Sequence, residues 1–341
     1  MRSDVLIPVT DTSSIGEARR AVLRVAEAAK LSETDAGRAA IVASELATNL
    51  VRHAKPAGGL LLIGADAGGG AVEMTSIDTG PGMGDVARCF QDGYSTAGTP
   101  GNGLGAVRRM SEEHDIFSAS SGTVLWCRIV AGGASRTAAL PSRAPRSSGL
   151  SVPAPNETLC GDAWRLTRAE DGRVSLMIAD GLGHGPLAAD AAVAACQAFD
   201  AAPFASPGAL LEAMHAALSG TRGAAVAVAQ VDPAAGKLTY AGVGNIAGTL
   251  IAADGSSRGL FSHNGTIGHL VRKIQMFDYP WPPDGLLVLH SDGLQTRWVL
   301  SKYPGLARRH PAVIAGVLFR DFKRGRDDST VVVMAAAPTG P

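Results

Sequence analysis

Along 14–30 the apolar residues Ile15, Ala18, Val22, Val25 and Ala29 recur at three- and four-residue spacing, which predicts a helix with one buried face. A short apolar run at 4–10 predicts a strand before it. Ser32-Glu33-Thr34-Asp35 then has the form of a capping box and opens a second helix reaching about Ala54, where Lys55-Pro56 and Gly58-Gly59 stop it. Strands follow at about 60–65 and 71–78, then a Gly-rich stretch, a helix from about 104 and two strands ending near Val130. At 131–149 the periodicity gives way to small, Pro- and Ser-rich residues, the composition of a linker.

Beyond the linker, β-runs at about 159–168, 173–180, 223–232, 237–243, 247–252, 285–291 and 329–336 surround helical stretches near 185–199, 207–218 and 305–322. Short turns such as D-P-A-A-G at 232–236 favour antiparallel pairing. Strands with segregated helices predict an α+β chain. Two domains are expected, 1–133 and 147–337, joined by a linker at 134–146.

Composition narrows the class. With 46% hydrophobic and 18% charged residues over 341 positions, the chain can bury real cores. Lys+Arg and Asp+Glu both number 31, so no net charge draws it to nucleic acid or to an anionic membrane. No run approaches the roughly 20 apolar residues of a membrane span, and M-R-S-D-V-L-I-P-V lacks the apolar stretch of a signal peptide. Cys89, Cys127, Cys160 and Cys196 lie far apart without a C-x-x-C, as expected of buried thiols in a reducing cytoplasm.

The chemistry falls into two sets. In the first half, Glu45 and Asn49 are four apart and share one helix face, placing a carboxylate base beside an amide able to ligate Mg²⁺. Asp78 ends a strand ahead of Gly80 and Gly82; a carboxylate there can accept the exocyclic amine of adenine, and the glycines let backbone approach a ligand closely. Gly101, Gly103 and Gly105 lead into a helix whose free N–H groups can cradle phosphates. In the second half, Asp162, Asp180, Asp292 and Asp327 each lie at or near a strand end. Gathered carboxylates repel one another unless cations neutralise them, and hard oxygen donors suit Mg²⁺ or Mn²⁺. Asp328 is an alternative to Asp327 at this point.

S-E-L-A-T-N-L-V-R-H-A, D-T-G-P-G and G-N-G-L-G-A-V-R-R-M resemble the N box, adenine box and phosphate box of the GHKL (Bergerat-fold) ATPases, specifically the small serine kinases of the anti-sigma-factor and stressosome-switch type. That resemblance implies an N-terminal Bergerat-fold α/β sandwich, with Glu45 as catalytic base, Asn49 as Mg²⁺ ligand and Asp78 as adenine reader. G-L-S-V-P, G-D-A-W, D-G-L-G-H-G, K-L-T-Y-A-G-V-G-N, H-S-D-G-L and D-D-S-T resemble the PP2C-type phosphatases of the SpoIIE/RsbX group. That second resemblance implies a β-sandwich flanked by helices, acting on phosphoserine or phosphothreonine proteins. Asp162, Asp180, the Gly181 carbonyl, Asp292 and Asp327 would then hold two Mn²⁺ or Mg²⁺. Pro155-Asn156-Glu157 departs from a Gly-Glu pair common in the group, and no arginine is identifiable as the phosphate anchor.

The two resemblances together imply a cytoplasmic switch protein. One half would use ATP to phosphorylate Ser or Thr of a STAS-domain antagonist, and the other would dephosphorylate that protein or a paralogue. The alternative is that the first half is a nucleotide-dependent binding module for a sigma factor or downstream phosphatase, with only the second half catalytic. A homodimer is left open. Because the two activities would undo each other, they are expected to serve different partners or to be gated by nucleotide.

Overall fold

The computed structural model describes residues 5–55, 57–65, 70–89, 103–132 and 145–337, and contacts divide the chain into two units. The first comprises Met1–Ala139 with Arg308–Arg320; the second comprises Leu140–Ala307 with Asp321–Pro341. Both helices and sheets are present, in agreement with the α+β expectation.

The first unit begins with β1 (Val5–Val9), α1 (Ser13–Ala28) and α2 (Glu33–His53). It continues with β2 (Gly59–Ala65), β3 (Ala71–Asp78), the short α3 (Val86–Cys89), α4 (Gly103–Met110), β4 (Glu113–Ala119) and β5 (Gly122–Val130). The strands form one antiparallel sheet in the order β1-β2-β3-β5-β4. Ala18, Val22, Val25 and Ala29, the expected face of the first helix, are buried with Val42, Leu46 and Leu50 of α2 and with Leu61, Ile63, Met74, Leu125 and Ile129 of the sheet. Ser32 caps α2: its Oγ accepts from the Asp35 N–H at 3.1 Å and donates to Asp35 Oδ2 at 2.7 Å. The same Oδ2 accepts from the Gly132 N–H at 2.8 Å, so the helix start is tied to the end of β5.

The second unit carries β6 (Arg146–Val152), β7 (Asp162–Arg168), β8 (Val174–Gly181), α5 (Pro186–Ala201), α6 (Pro207–Ala217) and β9 (Ala224–Asp232). Then come β10 (Lys237–Val243), β11 (Ala247–Ile251), β12 (Ser257–Gly259), β13 (Phe277–Pro280), β14 (Leu286–His290) and β15 (Ser329–Ala335); between the last two lies α7 (Pro311–Phe322), whose residues up to Arg320 count with the first unit. Two antiparallel sheets result, ordered β13-β10-β9-β8-β7 and β12-β11-β14-β15-β6. The pleat of β8 sorts its side chains. Val174, Leu176 and Ile178 join Leu238, Tyr240, Leu287, Leu289, Val332 and Met334 in one core, whereas Met177 and Ala179 pack with Ala191, Phe199, Leu211 and Met214 of α5 and α6.

Three departures from the sequence expectation have physical causes. Strand β6 begins at Arg146, inside the linker-like composition, because its edge pairing to β15 is made by backbone and asks little of the side chains. The helix expected from 305 starts at Pro311, after two 3-10 turns at Leu300–Lys302 and Leu306–Arg308; proline suits a first helical turn. Every α7 residue from Pro311 to Arg320 is buried, and a helix apolar on all sides needs cover on all sides. Residues 308–320 accordingly count with the first unit, an excursion absent from the expected boundaries. A Cβ on Gly316 would lie 2.7 Å from Val124 Cγ1, and the His310 ring stacks on Trp126 with centroids 3.6 Å apart. Asp115 accepts from Arg309 Nη1 at 3.1 Å and from the His310 N–H at 2.6 Å. Among the described residues, no helix is long and apolar enough to cross a membrane.

Candidate active sites

Glu45 and Asn49 are half-buried, one turn apart on α2. The first residue of α4 faces both: a Cβ on Gly103 would lie 2.9 Å from Glu45 Oε2 and 3.5 Å from Asn49 Oδ1. One turn beyond Asn49, the His53 carbonyl would lie 2.5 Å from a Cβ on Gly80. Asp78, the last residue of β3, accepts through Oδ1 from the Gly80 N–H at 2.8 Å and the Thr123 N–H at 3.2 Å. Those two bonds fix the carboxylate and use only one of its oxygens. Gly82 has φ +74°, and a Cβ there would be 2.1 Å from the Ala119 carbonyl oxygen, so only glycine makes this turn. The final turns of α2 therefore bring Glu45, Asn49 and Gly103 together on one side and the Asp78–Gly82 loop on the other. Gly105 is buried within α4, and Gly101 lies outside the described residues.

In the second unit, Asp162 opens β7 directly opposite Asp180 near the end of β8. Asp162 is buried and accepts a 2.6 Å hydrogen bond from Ser291 Oγ; burial and the neighbouring Asp180 hold its carboxyl well above the usual range. Asp180 is pushed up to about 7, first by burial and then by the charges of Asp292 and Asp327. Asp292, just after β14, is also raised by burial and Asp327, while Arg324, Asn245 and Arg326 act against the shift. Asn245 Nδ2 donates to Asp292 Oδ2 at 2.7 Å. Gly181 closes β8 beside Asp180.

The adjacent pair before β15 divides its work. Asp328 is buried, and its Oδ1 and Oδ2 accept from the Ala154 and Gly161 N–H groups at 2.8 and 2.9 Å. Both its oxygens are engaged in holding the loops around β6 and β7, which leaves Asp327 as the better candidate ligand. Ser291 and Asn245 are not singled out as site residues by the sequence: they lie within H-S-D-G-L and K-L-T-Y-A-G-V-G-N, but no spacing rule picks out either. Glu157, in the departing P-N-E, meets His184 Nδ1 at 2.7 Å and braces the turn before α5. The four cysteines are free; Cys127 and Cys196 are buried, whereas Cys89 and Cys160 are only partly so. Burial, with Asp162 and Asp328 nearby, pushes the Cys160 thiol up, the reverse of an activated nucleophile.

The donor chemistry fits hard divalent cations: Asp162, Asp180 and Asp292 all gain from a positive charge that offsets burial and mutual repulsion. Among the described residues, no three Asp, Glu, His or Cys side chains close into a ready ligand set. Ions retaining part of their water shell, as Mg²⁺ does, match such an open arrangement.

Known proteins fall on the same two segments. The histidine kinase-like ATPase domain family matches residues 8–129, and the stage II sporulation protein E (SpoIIE) family matches 170–336. The serine/threonine-protein kinase RsbT of Bacillus subtilis (strain 168) is 33% identical over 117 residues, covering 33% of this chain and 87% of RsbT. The phosphoserine phosphatase RsbX of the same organism is 24% identical over 138 residues, covering 40% of this chain and 69% of RsbX. A crystal structure of RsbX in complex with magnesium has the same fold, with TM-score 0.50 at 18% identity over 56% of this chain and 95% of that one. A chain from the bacterial stressosome, described as a modular system adapted to control secondary messenger signaling, gives TM-score 0.52 at 28% identity, covering 56% of this chain and 98% of its own.

Proposed function

Since the chain belongs to the histidine kinase-like ATPase family of RsbT in its first segment and carries a SpoIIE-type phosphatase domain in its second, we propose that it is a bifunctional cytoplasmic switch protein. It phosphorylates a Ser or Thr of a STAS-domain protein with ATP, and it hydrolyses the phosphate from that protein or a paralogue. The reading is carried by one observation: a single chain sets Glu45 and Asn49 against Gly103 beside the Asp78 loop, and also places Asp180 among Asp162, Asp292 and Asp327.

In the first half, Asp78 would take the adenine amine through Oδ2, the oxygen not used by Gly80 and Thr123, and the N–H groups from Gly101 to Gly105 would meet the phosphates. Asn49 would hold Mg²⁺. Glu45 would accept the hydroxyl proton as the acceptor oxygen bonds to the γ-phosphorus and ADP departs. In the second half, Asp162, Asp180, the Gly181 carbonyl, Asp292 and Asp327 would hold two Mn²⁺ or Mg²⁺. Such ions, when bound, would lower the pKa of a coordinated water and so supply the nucleophile. Asn245 and Ser291 orient Asp292 and Asp162, and Asp328 holds the loops in place.

The test is incubation of the full chain with labelled ATP, Mg²⁺, Mn²⁺ and a STAS-domain protein, in wild type, Asn49→Ala and Asp180→Ala. Label that accumulates on the partner only in Asp180→Ala is the expected result. Stable complex formation without label in any form would instead make the first half a nucleotide-gated binding module. Loss of both activities in either variant would refute two independent sites.

A further inference from the structure

Gln295, Thr296, Arg297, Arg324 and Arg326 line an open cavity of about 400 Å³ in the second unit. It is formed by two loops, one after β14 and one after α7, joined by backbone bonds: Gln295 N–H to Phe322 O at 2.9 Å, and Arg324 N–H to Gly293 O at 2.8 Å. The wall is thus braced although Thr296 and the three arginines are exposed. Three guanidiniums line it with no carboxylate among the lining residues, and none of the three makes an ion pair among the described residues. In a chain of zero net charge this is a local concentration of positive charge. The aspartate site is close by: Asp292 lies three residues before Gln295 in the loop after β14, and Asp327 directly follows Arg326.

We propose that this cavity is a docking subsite for the protein substrate, taking acidic side chains next to the phosphorylated residue. The proposal rests on the phosphatase reading and supplies the substrate anchor for it. Guanidinium groups pair with carboxylates in a planar, two-point geometry, and an exposed cluster beside a reaction centre selects among substrates more than it alters the chemistry. Arg297 is the cleanest probe, being farther along the chain from Asp292 than Arg326 is from Asp327.

The experiment uses the full chain with Mn²⁺ and three substrates: a peptide with phosphoserine flanked by glutamates, the same peptide with glutamines, and p-nitrophenyl phosphate. Arg297→Glu should raise KM for the glutamate peptide about tenfold with kcat unchanged, and leave the other two substrates unaffected; tenfold corresponds to about 1.4 kcal/mol. Arg297→Lys should fall between wild type and Arg297→Glu. An activity-independent arm measures anisotropy of a fluorescein-labelled, unphosphorylated glutamate peptide on the metal-free chain, where Arg297→Glu should weaken binding by a similar factor. Equal KM for both peptides in wild type, or an equal loss on p-nitrophenyl phosphate, would overturn the docking subsite. Inactivity of wild type on all three substrates would overturn the phosphatase reading instead, and the anisotropy arm would still decide the subsite.

Discussion

Removing the Asp180 charge should stabilise the metal-free protein above neutral pH. In the fold this carboxyl is pushed from an ordinary 3.8 up to about 7, chiefly by burial and then by Asp292 and Asp327. A raised carboxyl pKa means the fold favours the protonated form, so its stabilising contribution is complete below the unfolded value and disappears as pH rises through 7. The shift corresponds to roughly 4 kcal/mol, of which roughly 3 kcal/mol falls between pH 5 and 8. For a unit of this size that is a Tm change of about 6–12 °C. The assay is thermal unfolding of the full chain in EDTA from pH 5 to 8.5, for wild type and Asp180→Asn, followed by titration with Mn²⁺ at pH 8. Wild type should lose stability towards pH 8; the amide should flatten the curve and be the more stable protein there. Saturating Mn²⁺ should recover wild type and do much less for the variant. Parallel metal-free pH profiles for the two proteins would refute the reasoning.

Three further outcomes are expected. Ser291→Ala removes the donor to Asp162 and the acceptor of the Thr330 N–H at 2.9 Å in a buried site, and should cost about 1–3 kcal/mol by urea unfolding, with weaker Mn²⁺ binding by calorimetry. Gly103→Val places carbon against Glu45 and Asn49, and should abolish binding of a fluorescent ATP analogue while leaving phosphatase turnover unchanged. Ser32→Ala removes the cap of α2 and should cost about 1 kcal/mol in thermal unfolding, with the fold retained by circular dichroism.

The elements most legible in the sequence were those in which a side-chain period reports burial. The Ala18–Val22–Val25 stripe of α1 and the Ser32 cap of α2 are local signals that survive folding unchanged. Strands β12 and β13 were not anticipated: Ser257–Gly259 is exposed throughout, and Phe277–Pro280 is short, so neither has a pattern to read. In the aspartate site, residue type and order pointed to Asp162, Asp180, Asp292 and the 327–328 pair. The choice within that pair depends on two backbone N–H groups contributed from Ala154 and Gly161, more than a hundred residues away along the chain. The same distance hides Ser291 beneath Asp162, a pairing set by how β7 and β14 are brought together. Gly103 could be assigned to a phosphate loop by motif, but its approach to Glu45 follows from how α4 packs on α2.

The return of residues 308–320 to the first unit also bears on how the protein is born. A ribosome adds about 5–20 residues per second, so roughly ten to forty seconds separate the emergence of β5 from that of the segment carrying His310 and Gly316. During that interval Trp126 and Val124 lack the native cover that His310 and Gly316 give them. Synthesis stopped at the linker releases a sheet with this apolar face bare, however complete its nucleotide-facing side.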